Sequence, residues 1–349
     1  MEEKIGKQSL SLKNPALILS AAAVVGPKEG AGPLGYGFDT VWEDELCGAD
    51  SWEKAESLLQ KQALELALKK RKLQTTDLRY LLAGDLINQI TPSHFAARDT
   101  QIPFLGLYGA CSTMGLGLSL GSMLIDAGFA DCLAVEASSH YCTSEKQFRT
   151  PLGYGSQRPL YATWTVTGCG AVILGQAAGR AQEGDVVITR LTNGFIVDYG
   201  IKDAFNMGAA MAPAAAALIQ AHFEDFGVDE NEYDAIYTGD LGYYGSELLY
   251  ELLEEKKISI RAKHRDCGCL IYDREEQDTH GGGSGCGCSA VTLTGHLLRE
   301  LRQGQLRRIL FIPTGALLSP LSAQQGESIP CIAHGVVLER IGEAVKWNM

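Results

Sequence analysis

Positive charge is scarce in this chain. Thirty Lys and Arg face 42 Asp and Glu across 349 residues, a formal charge of −12 at pH 7. Binding a phosphate backbone needs a basic face, so nucleic acid is excluded as a partner, and docking on anionic lipid by charge alone is disfavoured. Met1 to Leu10 carries charges and no apolar core, so no secretory signal is expected. Uncharged apolar runs are also missing. The longest stretch, Gly115 to Ala137, contains Asp126 and Asp131 and is rich in Gly and Ser; a buried helix followed by a strand fits it better than a membrane span. Without a secretory signal, the ten cysteines are expected as reduced thiols of a cytosol-like compartment. No Gly-Lys-Ser/Thr follows the run Gly281-Gly282-Gly283, which rules out a P-loop.

What the sequence does hold is a repeat of itself. Asp77 to Leu86 reads as a strand ending in Gly84-Asp85-Leu86, and Tyr233 to Leu241 as one ending in Gly239-Asp240-Leu241. A helical pattern precedes each, over Ala55 to Lys70 and Ala212 to Phe226. Next, Gly109-Ala110-Cys111-Ser112 matches Gly287-Cys288-Ser289. Each opens an apolar helix, Thr113 to Ala127 and Ala290 to Arg302, and each helix leads into a buried strand, Cys132 to Ala137 and Arg308 to Pro313. A third match pairs Gly168 to Leu174 with Ala333 to Glu339. Strand-helix-strand alternation in two halves, 1–183 and 184–349, predicts an α/β protein with parallel sheets between helices. The two Gly-Asp-Leu strand ends and the two Cys-Ser helix starts should then face a common centre, where α/β folds bind ligands. Asn193 to Met211 is expected as a loop, punctuated by Gly200 and Gly208 with Pro213 close behind.

Cys111 stands directly before an apolar helix. Free backbone N–H groups and the dipole at such a position stabilise a thiolate or an anionic ligand. A buried structural thiol is the competing explanation. The pairs Cys267-Gly268-Cys269 and Cys286-Gly287-Cys288 leave one residue between cysteines, tight for zinc, and read more simply as small packing residues.

Gly109-Ala110-Cys111-Ser112 before a Gly-rich helix, in a duplicated βα chain, resembles the thiolase superfamily, which includes the ketoacyl synthases. Further segments are similar to the stage V sporulation protein AD family within it: Ala31 to Gly35, Leu82 to Leu86, Glu145 to Arg149, Met211 to Ala215, Gly282 to Cys286, Thr314 to Pro320 and Glu327 to Gly335. The resemblance implies a thiolase-like five-layer αβαβα fold of two duplicated halves, usually a homodimer. It also implies binding of dipicolinic acid, as its calcium chelate, for uptake into the developing spore. Such a protein would work peripherally on the spore inner membrane beside other transport components.

Condensing enzymes of the superfamily oppose their cysteine with two bases from the second half, two histidines or a histidine and an asparagine. One is expected after Ala235 to Thr238, where this chain has Gly239-Asp240-Leu241-Gly242; the other in the Gly-rich turn, where it has Gly281 to Cys288. Neither place holds His or Asn, so the catalytic pattern carries over at Cys111 only. His280 and His334 are the histidines nearest, and Cys331 stands where thiolases proper keep a second cysteine. The expectation is therefore a non-catalytic protein without a cofactor. An acyltransferase or ketoacyl-synthase-like enzyme using Cys111 is the alternative. A dipicolinate site needs N–H donors, a cation and a slot for one ring. The candidates are Cys111, Ser112, Arg149, Gly283, Ser284, Cys286 and Cys331, with Asp85 and Asp240 as oxygen donors should calcium enter with the ligand.

Overall fold

The computed structural model describes residues 3–148 and 158–342. In chain order the elements that frame the site are β1 (Ser9–Val25), α1 (Trp52–Arg71), β2 (Leu81–Gly84), α2 (Thr91–Arg98), β3 (Phe104–Gly106), α3 (Thr113–Asp126), β4 (Cys132–Ser139), α4 (Tyr141–Phe148) and β5 (Gly168–Gln176). The second half repeats the plan with β6 (Val186–Asn193), α5 (Met207–Phe226), β7 (Ala235–Thr238), α6 (Gly242–Glu254), β8 (His264–Asp266), α7 (Cys286–Thr292), β9 (Arg308–Ile312) and β10 (Cys331–Arg340).

Hydrogen bonding orders the strands β8-β7-β9-β10-β6-β1-β5-β4-β2-β3. Read outward from the β6/β1 pair, the two sides mirror each other: β1, β5, β4, β2, β3 on one, β6, β10, β9, β7, β8 on the other. The outer strands run parallel, as alternation predicts. The inner ones do not: β4/β5, β5/β1, β1/β6, β6/β10 and β10/β9 are antiparallel. Helices α2 and α3 carry the chain back between β2, β3 and β4. From β4 to β5 and from β9 to β10 the chain reaches the neighbouring strand without that return crossing, which reverses its direction.

Layering follows from which helix faces are apolar. Helix α1 starts where the Ser51 side chain accepts from Lys54 N and ends in Lys69, Lys70 and Arg71, a basic turn that suits the C-terminal dipole. It buries Ala55, Leu59, Ala63, Ala67 and Leu68, a stripe at helical spacing, against β1, β5 and β4. On the far side, α5 covers β10 and β6 and packs against α6. Between the two sheet halves lie α3 and α7, both touching strands and each other. The order is therefore α1, sheet, α3 with α7, sheet, α5 with α6: five layers. Helix α5 begins at Met207, where the Asn206 side chain accepts from Ala209 N. The loop expected over Asn193 to Met211 is shorter for that reason.

Candidate functional site

The turn before α3 sets the site. Ala110 is held at φ 48°, a conformation that strains a residue with a Cβ. Its carbonyl is fixed from two sides, by Thr113 Oγ1 at 2.7 Å and by Cys286 Sγ at 2.9 Å across the halves. Ser112 turns its hydroxyl back to Gly109 O at 2.6 Å and is fully buried. Cys111, 8% exposed, lines a recess together with Ala110 of the same turn.

The second half meets Cys111 with a carboxyl. Asp240 follows β7, in the place where the resemblance leads one to expect a base, and is fully buried. Its Oδ2 accepts from Gly285 N at 2.9 Å and from Ser284 Oγ at 3.2 Å. The carboxyl lies beside the Cys111 thiol, and its Oδ1 has no hydrogen-bond partner among the described residues. Gly285 presents its N–H from φ 99°, a conformation open to glycine. A Cβ there would stand 2.7 Å from Ser139 Oγ. Burial raises Asp240 to about 7, against the pull of Cys111 and the Gly285 N–H, with Asp266 nearby adding to the rise. Burial likewise pushes the Cys111 thiol well above its usual range, and the Asp240 charge pushes it further. The sulfur is a protonated thiol at neutral pH.

The recess is small, ≈ 40 Å³, room for a few waters. Leu86, Phe148, Met207, Met211, Ala316 and Leu318 make apolar walls; Cys111, Ser284, Ser144, Glu145 and Tyr108 supply the polar atoms. No Lys or Arg is among its described lining residues.

The sequence candidates divide accordingly. Cys111 and Ser284 line the recess, and Asp240 is bonded to the second and beside the first. Gly283, one residue before Ser284, and Cys286, two after it, are buried, Gly283 paired in a short parallel bridge with Trp164. Cys331 is buried in β10, its Sγ 3.6 Å from Ile329 O. Asp85 does not line the recess. It is fully buried, its carboxyl accepting from Ile87 N at 2.8 Å and from Ser93 N at 2.9 Å. Arg149 lies outside the described residues. His280 bonds Pro159 O at 3.0 Å and His334 meets Asn193 Oδ1 at 3.3 Å; neither lines the recess. Among the described residues no group of three or more His, Cys, Asp or Glu is placed to hold a metal ion, the two Cys-Gly-Cys pairs included.

Tyr108, Ser144, Glu145, Phe148 and the two methionines are site residues that sequence reasoning does not single out. A signal exists for several of them: Glu145 to Phe148, Met211 and Thr314 to Leu318 belong to the segments that carry the family resemblance.

Comparison with known proteins places this geometry. A family model described as Stage V sporulation protein AD (SpoVAD) matches residues 6–339. The Stage V sporulation protein AD of Bacillus subtilis (strain 168) is 47% identical over 339 residues, covering 97% of this chain and 98% of that protein. Among solved structures, a single-site variant of OleA from Xanthomonas campestris superposes with a TM-score of 0.60 at 13% identity, over 94% of this chain and 99% of that one. The 3-oxoacyl-(acyl carrier protein) synthase III, FabH, of Xanthomonas oryzae pv. oryzae gives 0.58 at 13%, with 94% and 99% covered. At such identities the likeness is one of fold, the thiolase-like fold of condensing enzymes.

Proposed function

The chain belongs to the stage V sporulation protein AD family, and from that membership we propose that it is a non-catalytic binding protein for dipicolinic acid. In this reading it receives the acid, as its calcium chelate, for uptake into the developing spore. It works as a homodimer, peripheral on the spore inner membrane and beside other transport components. Among the described residues no helix is long and apolar enough to cross a membrane, which agrees with a peripheral place.

One observation carries the non-catalytic part: the sulfur of Cys111 is opposed by the Asp240 carboxyl, not by a group that becomes cationic on taking its proton. A cysteine nucleophile works as thiolate, and an imidazole base stabilises the thiolate by ending up positive beside it. An ionised carboxylate does the reverse. A planar acid enters only as the recess widens, which the flexible side chains of Met207 and Met211 allow; Cys111 and Ser284 then offer it hydrogen bonds.

The acyltransferase reading has its own support, since Cys111 lines the recess and Asp240, raised to about 7, has a proton affinity suited to a general base. Two measurements on the purified protein separate the readings. Calorimetry with dipicolinate, with and without calcium, should give saturable binding that survives Cys111→Ser. Incubation with radiolabelled acyl-CoA and acyl carrier protein should leave Cys111 unlabelled. Label on Cys111 together with no dipicolinate binding would reverse the assignment.

A further inference from the structure

Three residues bring side-chain hydroxyls to the described lining of the recess: Tyr108, Ser144 and Ser284. Ser284 gives its one proton to Asp240 Oδ2 at 3.2 Å, and the Cys111 thiol is turned to the same carboxyl. Either can serve a ligand only by leaving Asp240. Tyr108 is 46% exposed, so water competes for it. Ser144 differs from all of these. It is 4% exposed, and its Oγ, closed off from solvent, has no hydrogen-bond partner among the described residues.

The place of Ser144 in α4 makes this unusual. A serine inside a helix commonly turns its hydroxyl back to a carbonyl of the preceding turn. Thr143 does so: its Oγ1 lies 3.0 Å from His140 O and 3.1 Å from Glu56 Oε2. Ser138 and Ser139, on the strand that leads into α4, are satisfied by Glu56 Oε1 at 2.9 Å and Val166 O at 2.6 Å. Ser144 N donates to His140 O at 3.1 Å, so the backbone is in order and the hydroxyl alone is left over. A buried hydroxyl without a partner destabilises the fold. Ser144 and Phe148 stand four residues apart on one face of α4 and both line the recess. Phe148 packs into the apolar cluster that holds Met211, with Met207 against it. When the methionines give way, a planar ring that takes their place beside Phe148 lies one helical turn from Ser144.

We propose that Ser144 recognises the second carboxylate of a planar dicarboxylic acid whose first carboxylate is held at the floor by Cys111 and Ser284. A carboxylate only accepts, and a hydroxyl without a partner breaks no internal bond to donate to it. Glu145 adjoins Ser144 in the recess wall, and no Lys or Arg is among the described lining residues. Charge therefore does not draw a carboxylate to this wall; a hydrogen-bond donor has to hold it. An acid with the same ring and one carboxylate occupies the floor and leaves Ser144 unmet. The preference for two carboxylates thus resides in one hydroxyl.

This assignment rests on the reading of the recess as a site for dipicolinate, and the test keeps the two apart. Calorimetry compares dipicolinate with picolinate, the same ring with one carboxylate, each with and without calcium. The native protein should bind dipicolinate at least tenfold more tightly, the scale of one charge-assisted hydrogen bond. Ser144→Ala should weaken dipicolinate by about the same factor and leave picolinate nearly unchanged. The variant should melt at or above the native temperature, because it deletes a buried hydroxyl that the native fold leaves without a partner. Affinity lost while stability is kept is a pattern that a purely structural serine would not give. Unchanged dipicolinate affinity in the variant, an equal loss for both acids, or a native protein that does not distinguish them overturns the role of Ser144 and leaves the site. So does a variant that melts lower or fails to fold, which would make the hydroxyl a support of α4. Absence of dipicolinate binding under every condition overturns the site and the role of Ser144 together.

Discussion

Cys111 and Asp240, joined from opposite halves of the chain, form a thiol–carboxyl contact in which the carboxyl disfavours the thiolate. The chemical consequence is a dull cysteine. Iodoacetamide at pH 8 should alkylate Cys111 at least tenfold more slowly than an exposed cysteine in the unfolded chain, because the thiolate is the reacting form. Asp240→Asn should speed labelling several-fold by removing the charge while leaving the burial. Peptide mass spectrometry follows both rates. A native rate equal to that of the unfolded chain would mean that the carboxyl does not govern the sulfur.

The buried acids give the fold a pH dependence of unusual sign. Burial lifts Glu29 to about 7, Glu136 to about 8 and Asp240 to about 7. Each prefers to be folded with its proton on. Between the ordinary carboxylate range and these values the native state binds more protons than the unfolded one, so stability falls as pH rises. The contribution is fully present below about pH 4 and is lost as pH climbs through 7 to 8. Glu136 Oε1 has no hydrogen-bond partner among the described residues, which makes it the cleanest probe. Glu136→Gln should gain stability relative to the native protein between pH 5 and pH 8, by a few kcal/mol at most, since one unit of raised pKa is about 1.4 kcal/mol. Thermal melts at the two pH values check it. An equal offset at both would assign the proton affinity elsewhere.

The sheet ends on an apolar edge. Among the described residues β3 has one hydrogen-bonded neighbour, β2, and it exposes Leu105 at 41%, with Tyr108 just beyond it at 46%. Edges of this kind pair with another chain unless charge blocks them, and the proposed homodimer would use this one. Sedimentation of the native protein should then give a dimer, and Leu105→Glu should shift it to monomer by at least tenfold in dissociation constant. A Leu105→Glu protein that remains dimeric would move the interface to another face.

How far the sequence can be read depends on distance along the chain. The helices Thr113 to Ala127 and Ala55 to Lys70 are legible because their apolar stripes are local, and the structure ends each within a few residues of the expected bounds. The matched segments Gly168 to Leu174 and Ala333 to Glu339 prove to be β5 and β10, in mirror positions of the sheet. Strand direction is not legible, since it depends on which neighbour a strand reaches. Nor are the different fates of the two Gly-Asp-Leu aspartates. Asp85 bonds residues two and eight positions on, whereas Asp240 bonds Gly285, 45 positions away, and lies beside a thiol of the other half. No local pattern separates the two. The recess walls are half legible, because Met207 lies on a helix where the punctuation predicts a loop.

Gly315 shows how tightly the Cys111 turn is packed. It belongs to a short strand, Thr314–Ala316, that pairs with Cys331 to Ala333 and leads into the recess wall at Ala316 and Leu318. A Cβ on Gly315 would stand 2.0 Å from Gly109 O and 3.0 Å from Ser112 N. Both are backbone atoms of the turn, so no side-chain rotation relieves the clash. Ala110 within that turn already holds a strained conformation through its bonds to Thr113 and Cys286. A shift of the Gly109 carbonyl would also disturb the Ser112 hydroxyl bonded to it. Gly315→Ala is therefore expected to cost about 1–3 kcal/mol, as overpacking does, and to reduce dipicolinate affinity at least tenfold by displacing Cys111. Chemical denaturation and calorimetry on one preparation measure the two effects. Native-like stability with full affinity would show that the strand yields, and that the turn is held by its own hydrogen bonds alone.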